Sequence, residues 1–221
     1  MQEPLKRDVL LFDLDGTLTD PKAGIVGSIR FALDQLTVEC PGEDVLAGFI
    51  GPSLRGTFAS LLNTSDTDRI EDAMTLFRER FAVTGHFENQ VYDGVPAMLE
   101  RASRVCGATY VATSKPAVFA ERIVKHFGLD KHFRKVYGAE LDGRYDDKAE
   151  LLAHLLAAEQ VAPELAVMIG DRAGDVRAAK ANGLRSIGVL WGYGSEQELV
   201  DAGVEILCRT PRELADHLPL A

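Results

Sequence analysis

Cysteine is scarce. Cys40, Cys106 and Cys208 are odd in number, widely separated, and form no CxxC pair. That pattern excludes a disulfide framework and a thiolate metal centre, and it fits reduced core thiols in a cytoplasm. Long apolar runs are absent too: none approaches the roughly 20 residues needed to span a bilayer. The short basic stretch in MQEPLKRDVLLF leads into an apolar segment that stops at Asp13, unlike a secretory signal. Positive charge is in deficit, with 24 Lys and Arg against 34 Asp and Glu and a formal net charge of −10. With no Lys/Arg stripe to override it, this excess argues against nucleic acid and membrane as partners. An anionic ligand would have to be drawn by local groups. The histidines (His86, His126, His132, His154, His217) show no metal-ligand spacing, and the chain carries no internal repeat or low-complexity tract.

What is present is an ordinary globular composition, 46% hydrophobic and 26% charged, able to fill a core. A length of 221 residues fits one domain carrying an insertion. GATYVATS (107–114), KVYGA (135–139), LAVMIGD (165–171), RSIGVLWG (185–192) and VEILC (204–208) read as buried strands. Helical patterns alternate with them near 94–105, 116–127, 147–159, 173–182, 195–202 and 211–217. Together with VLLFDL these predict an α/β fold, a doubly wound parallel sheet with helices on both faces. One connection breaks the rhythm. From Leu14 to Cys106 the chain runs far beyond the roughly dozen residues a crossover needs. The excess carries apolar positions at helical steps in GIVGSIRFALDQL, GPSLRGTFASLL and DRIEDAMTLFRERFAV. A small, acidic, helical domain over 19–88 is therefore expected inside a core made of 1–18 and 89–221.

Ligands of open α/β sheets bind outside the carboxyl ends of the strands. The first strand, in DVLLFDLDGTLTD, delivers Asp13 and Asp15 there. Two like charges at the exit of an apolar run serve no structural purpose. The 107–114 strand delivers Thr113 and Ser114, with Lys115 next. LAVMIGD delivers Asp171, with Asp175 four residues on, and Lys148 opens the helix that follows KVYGA and its loop. Four crowded carboxylates require a cation, and an oxygen-only donor set selects a hard one, Mg²⁺. Lys148 and the Thr113 hydroxyl would hold phosphate oxygens, while Gly16 and Gly170 let backbone approach closely. The constellation suits phosphoryl chemistry.

DLDGT, ATSK, Lys148 and GDRAGD resemble, in order, the four motifs of the haloacid dehalogenase superfamily of phosphohydrolases. The helical insertion resembles the cap of its phosphoglycolate phosphatase-like and β-phosphoglucomutase-like branch. FIGPSL (49–54) and YDGV (92–95) resemble segments of that cap and of the return into the core. The resemblance implies a Rossmann-like core with a helical cap. It implies Asp13 as the nucleophile that becomes an aspartyl-phosphate, and Asp15 as the acid that protonates the leaving group and then activates water. Mg²⁺ would be held by Asp13, Asp171 and the backbone carbonyl of Asp15, with Asp175 in support. Thr113, Ser114 and Lys148 would bind the phosphoryl group. The loop before the motif lysine, LDGRYDDK, lacks the Lys-Pro form of many relatives, so Arg144 and Lys115 stay open as stand-ins for Lys148. In the insertion, Arg55 is the candidate for a distal anion of the substrate, ahead of Lys22. LWGYG (190–194) reads as a packed loop with a glycine turn.

The expected function is Mg²⁺-dependent hydrolysis of a small phosphomonoester, such as phosphoglycolate or a nucleoside monophosphate, by a monomer or homodimer. A sugar phosphomutase would share every catalytic residue. A receiver-type phosphoacceptor or binding module uses a similar Asp, Thr, Lys and Mg²⁺ set, but it needs neither Asp15 nor the long insertion. A carbon–halogen hydrolase is disfavoured because a departing halide takes no proton.

Overall fold

The computed structural model describes residues 8–51 and 53–218. The basic N-terminal stretch, and Pro52 within FIGPSL, lie outside the described residues. The chain divides into two compact units, one made of Met1–Asp20 with Val91–Ala221, the other of Pro21–Gln90.

The second unit is helical. Helices α1 (Lys22–Gln35), α2 (Glu43–Ala47), α3 (Leu54–Leu61) and α4 (Thr67–Arg80) run into a π-helical turn at Phe81–Gly85. The three- and four-residue apolar steps bury Ile29, Leu33, Phe58, Phe77 and Phe81, and the Phe77 and Phe81 rings stack at 5.2 Å. Ser53 caps α3 by accepting from the Gly56 N–H at 3.2 Å, and Asp66 caps α4 at 3.0 Å. The end of the unit is pinned by Arg80, whose guanidinium grips both oxygens of Glu88 at 2.8 and 2.9 Å.

The first unit carries the sheet. Its strands are β1 (Val9–Phe12), β4 (Ala108–Pro116), β5 (Lys135–Ala139), β6 (Ala166–Gly170), β7 (Arg185–Val189) and β8 (Ile206–Cys208). The two-residue strands β2 (Thr19–Asp20) and β3 (Gln90–Val91) mark where the chain departs and returns. The six strands run parallel in the order β5-β4-β1-β6-β7-β8. The first strand is thus central and the chain winds outward on either side of it, the doubly wound arrangement that the sequence pattern predicts. Helices α5 (Val95–Val105), α6 (Ala117–His126), α7 (Lys148–Glu159), α8 (Ala173–Ala181), α9 (Glu196–Ala202) and α10 (Pro211–His217) complete this unit among the described residues.

Strands covered on both faces read as continuous apolar runs, and β1 shows why. Leu10 and Phe12 enter one core with Val111, Ile169, Met98 of α5, Ile123 of α6 and Leu214 of α10. Leu11, pointing the other way, joins Tyr110, Met168, Leu152 and Leu155 of α7 and Ala179 of α8. Each fully buried Leu or Phe side chain contributes about 1.5–3 kcal/mol, so Leu10, Leu11 and Phe12 hold the strand at the centre of the sheet. Two strand ends differ from the sequence reading. β4 continues to Pro116, with a register shift against β5 between Thr113 and Pro116. β7 stops at Val189, because the LWGYG residues beyond it turn aside to pack on the Asp171 region.

Candidate active site

The register of the two central strands builds the site. Phe12 of β1 lies opposite Ile169 of β6, and the Asp13 N–H donates to the Ile169 carbonyl at 2.9 Å. The residues that follow each strand therefore meet at the carboxyl edge, where the winding reverses. Asp13, Asp171 and Asp175 are all buried and offer carboxylate oxygens within 4.8 Å of one another. Lys148, the first residue of α7, enters the same place. Its Nζ lies 3.1 Å from Asp13 Oδ1 and donates to Asp175 Oδ1. The helix start that aims it is fixed by Asp147, whose Oδ1 accepts from the Ala149 N–H at 2.7 Å.

The electrostatics of this cluster are unbalanced. Burial, then repulsion from Asp175 and Asp13, pushes the Asp171 carboxyl up to about 8. Burial also raises Asp175, against the pull of Lys148. Burial alone would lower Lys148, but Asp13 and Asp175 beside it hold its ammonium above the ordinary lysine range. One cation thus faces three buried carboxylates. Asp175 is fully engaged, since its second oxygen accepts from the Arg172 N–H at 3.0 Å. Asp171 accepts from the Thr17 hydroxyl at 3.4 Å and from the Tyr193 N–H at 2.8 Å. A buried, oxygen-only set with surplus negative charge fits a hard divalent cation, with Asp13 and Asp171 as the carboxylates to hold it.

Glycines make the close approach. Gly16 has φ +85°, and a Cβ there would lie 2.2 Å from Asp171 Oδ2, so both backbone and space demand glycine. LWGYG contributes more than packing. A Cβ on Gly192 would stand 2.5 Å from Asp171 Oδ2, and one on Gly194 would stand 1.8 Å from the Asp171 carbonyl. Trp191 Nε1 donates to the Thr17 carbonyl at 2.9 Å, so the loop clasps both the DLDGT turn and Asp171. The sequence reading missed this role. The available signal was a pair of glycines around an aromatic residue just past the strand next to β6.

On the other side of β1, Asp15 Oδ2 meets Lys115 Nζ at 2.7 Å, while Asp15 Oδ1 is buried with no hydrogen-bond partner. Burial raises the Asp15 carboxyl and Lys115 opposes that rise. Thr113 is buried, and its hydroxyl accepts from the Lys115 N–H at 3.2 Å; Ser114 between them is half-buried. Of the three candidate cations, Lys148 is the one placed against Asp13. Lys115 belongs to Asp15 instead, and Arg144 is exposed and paired with Asp142 at 3.0 Å. Arg55 lies in the helical unit, where it pairs with Glu71, and Lys22 pairs with Glu43 at 3.3 Å.

Comparison with known proteins agrees with this geometry. The family model of haloacid dehalogenase-like hydrolases matches residues 10–189. A 5′-nucleotidase of Pseudomonas aeruginosa is 49% identical over 190 residues, covering 86% of this chain and 86% of that protein. The tyrosine-protein kinase PtkA of Mycobacterium tuberculosis is 37% identical over 186 residues, which make up 84% of this chain and 63% of that protein. Among solved structures, a predicted phosphatase from Clostridium acetobutylicum superposes with a TM-score of 0.91 at 37% identity, covering 95% of this chain and 97% of that one.

Proposed function

Because the chain belongs to the haloacid dehalogenase-like hydrolases, and among them is a phosphoric monoester hydrolase, we propose that it dephosphorylates a nucleoside 5′-monophosphate, using Mg²⁺ and an aspartyl-phosphate on Asp13. The observation that carries this reading is the placement of Lys148 against Asp13 and Asp175 beside Asp171. A buried ammonium and a cation-hungry carboxylate set flank one carboxylate at the end of a central strand. The nucleotide rests on the 49% identity to a 5′-nucleotidase. A 27% identical phosphoglycolate phosphatase of Colwellia psychrerythraea supports a smaller acid ester less strongly.

In the first step a carboxylate oxygen of Asp13 attacks phosphorus and the bond to the ester oxygen breaks. Asp15 delivers its proton to that departing oxygen. Burial favours the protonated form of Asp15, as a general acid requires, and Lys115 orients its carboxyl through Oδ2. In the second step Asp15 takes a proton from water, the water oxygen attacks phosphorus, and Asp13 leaves as a carboxylate with inorganic phosphate as product. Lys148, the Thr113 hydroxyl and Ser114 bind and orient the phosphoryl oxygens throughout. Asp13, Asp171 and the Asp15 backbone carbonyl would hold Mg²⁺, with Asp175 fixing Lys148. Bound there, the ion supplies positive charge to phosphoryl oxygens.

The test is phosphate release from nucleoside 5′-monophosphates, 2-phosphoglycolate and hexose phosphates, with Mg²⁺ and with chelator. Nucleoside monophosphates should be turned over fastest, chelation should abolish activity, and Ca²⁺ should restore it poorly. Tenfold preference for phosphoglycolate, isomerisation of a sugar phosphate, or phosphoryl transfer from ATP to protein tyrosine would each overturn the reading.

A further inference from the structure

Tyr193 makes polar contacts in two directions. Its N–H donates to Asp171 Oδ2 at 2.8 Å. Its phenol donates to Asp20 Oδ1. Asp20 is the last residue of the sheet unit before the chain leaves it. That point is tied into the sheet unit by backbone: the Gly16 N–H donates to the Thr19 carbonyl at 2.8 Å. One residue therefore touches both the departing strand and a carboxylate of the acid cluster.

The backbone around Tyr193 has little stiffness of its own. It stands between Gly192 and Gly194, and glycine restricts the chain least. Beyond the close packing of Gly192 and Gly194 on Asp171, the grip of the Tyr193 side chain helps fix the direction of its N–H. The phenol is held by its hydrogen bond to the Asp20 carboxylate.

We infer that Tyr193 is a positioning residue that makes the placement of Asp171 depend on its engagement with the departing strand at Asp20. Loss of the phenol–carboxylate bond releases the Gly-flanked N–H, and with it one of the two hydrogen bonds that orient Asp171. The role for Asp171 in holding a cation rests on the phosphatase reading; the coupling itself does not.

The experiment uses the full chain, without metal, and the variants Tyr193→Phe and Asp20→Asn. Tyr193→Phe keeps the ring and the backbone donor, and Asp20→Asn keeps an acceptor of the same shape. The readout is hydrogen exchange of the residue-193 amide, with the Ile169 amide in β6 as a check on the sheet. A charge-assisted hydrogen bond corresponds to roughly tenfold or more in a local opening equilibrium. Tyr193→Phe, which removes the bond, should therefore speed exchange at residue 193 by about tenfold. Asp20→Asn, which leaves a neutral acceptor, should speed it less. Both should leave Ile169 unchanged, and the double variant should be no faster than Tyr193→Phe alone. Calorimetry should show Mg²⁺ affinity falling several-fold in both variants. Protection at residue 193 unchanged in Asp20→Asn, or independent additive effects of the two substitutions, would overturn the inference. A wild type that binds no Mg²⁺ would instead overturn the cation in the phosphatase reading, and the amide result would still decide the coupling.

Discussion

Lys148→Met removes the positive charge from the acid cluster and leaves the volume. The structure sets the scale. The Lys148 side chain is 9% exposed, with partners at 7% and 3%, so solvent screens the pair weakly. Removing one partner of a buried ion pair costs about 3–5 kcal/mol, because the remaining charge is left uncompensated. For a chain of this length each kcal/mol lowers Tm by about 2–4 °C, so the metal-free variant should melt about 6–20 °C below the wild type. The loss should be larger at pH 8 than at pH 5, where Asp175, whose carboxyl burial raises, can take up a proton instead. Turnover should fall by at least about 10²–10³, the usual effect of losing a group aimed at developing charge. Arg144→Ala is the control: its side chain is 66% exposed, and both effects should stay within about 0.5 kcal/mol. Lys115→Ala should lower turnover less than the change at Lys148. The assay is calorimetric melting beside phosphate release. Wild-type melting and turnover in Lys148→Met, or a greater loss in Arg144→Ala, would refute the assignment.

Asp15→Asn should retain fold and Mg²⁺ binding and lose about two to four orders of magnitude in turnover of an alkyl phosphate; with an activated aryl phosphate a burst should precede slow turnover. Undiminished steady-state hydrolysis of the alkyl ester would remove the acid–base role. Asp171 carries a linkage prediction. Its carboxyl is raised from 3.8 to about 8 in the folded chain, so the folded state holds a proton that the unfolded state releases. That contribution to stability is complete below 3.8 and is lost as pH rises through about 8. A cation displaces the same proton, so the Tm increase on adding Mg²⁺ should be small well below pH 8 and large above it; a pH-independent increase would contradict the geometry. Gly16→Ala places a methyl against Asp171 at a backbone angle alanine avoids, and calorimetry should show Mg²⁺ binding lost. Retained affinity would mean that the DLDGT turn relaxes freely.

The sheet was legible because its strands are short, largely apolar runs bounded by polar or glycine residues, and because they alternate with helical patterns. An insertion was legible from chain length, since no crossover needs the stretch between Leu14 and Cys106, and its helical character from apolar positions at three- and four-residue steps. Asp13, Asp15 and Asp171 could be grouped because strand-end positions converge in this topology. The partners of Lys115 and Lys148 could not be assigned. Which carboxylate each lysine reaches depends on the register shift after Thr113 and on the Asp147 cap, neither of which leaves a one-dimensional trace. LWGYG was read as a loop because its two glycines serve as ordinary turn residues in most contexts. Their use here is close approach to Asp171, which appears only once β7 is placed beside β6.

The most direct test of the account is the identity of the residue that carries phosphorus during turnover. Wild type and Asp15→Asn are mixed with a nucleoside monophosphate and Mg²⁺, quenched in acid within one turnover, digested and mapped by mass spectrometry. The account expects a phosphoryl group on Asp13, more abundant in Asp15→Asn, and absent in Asp13→Asn and in chelator. Phosphorylation at another residue, or full turnover by Asp13→Asn, would contradict it.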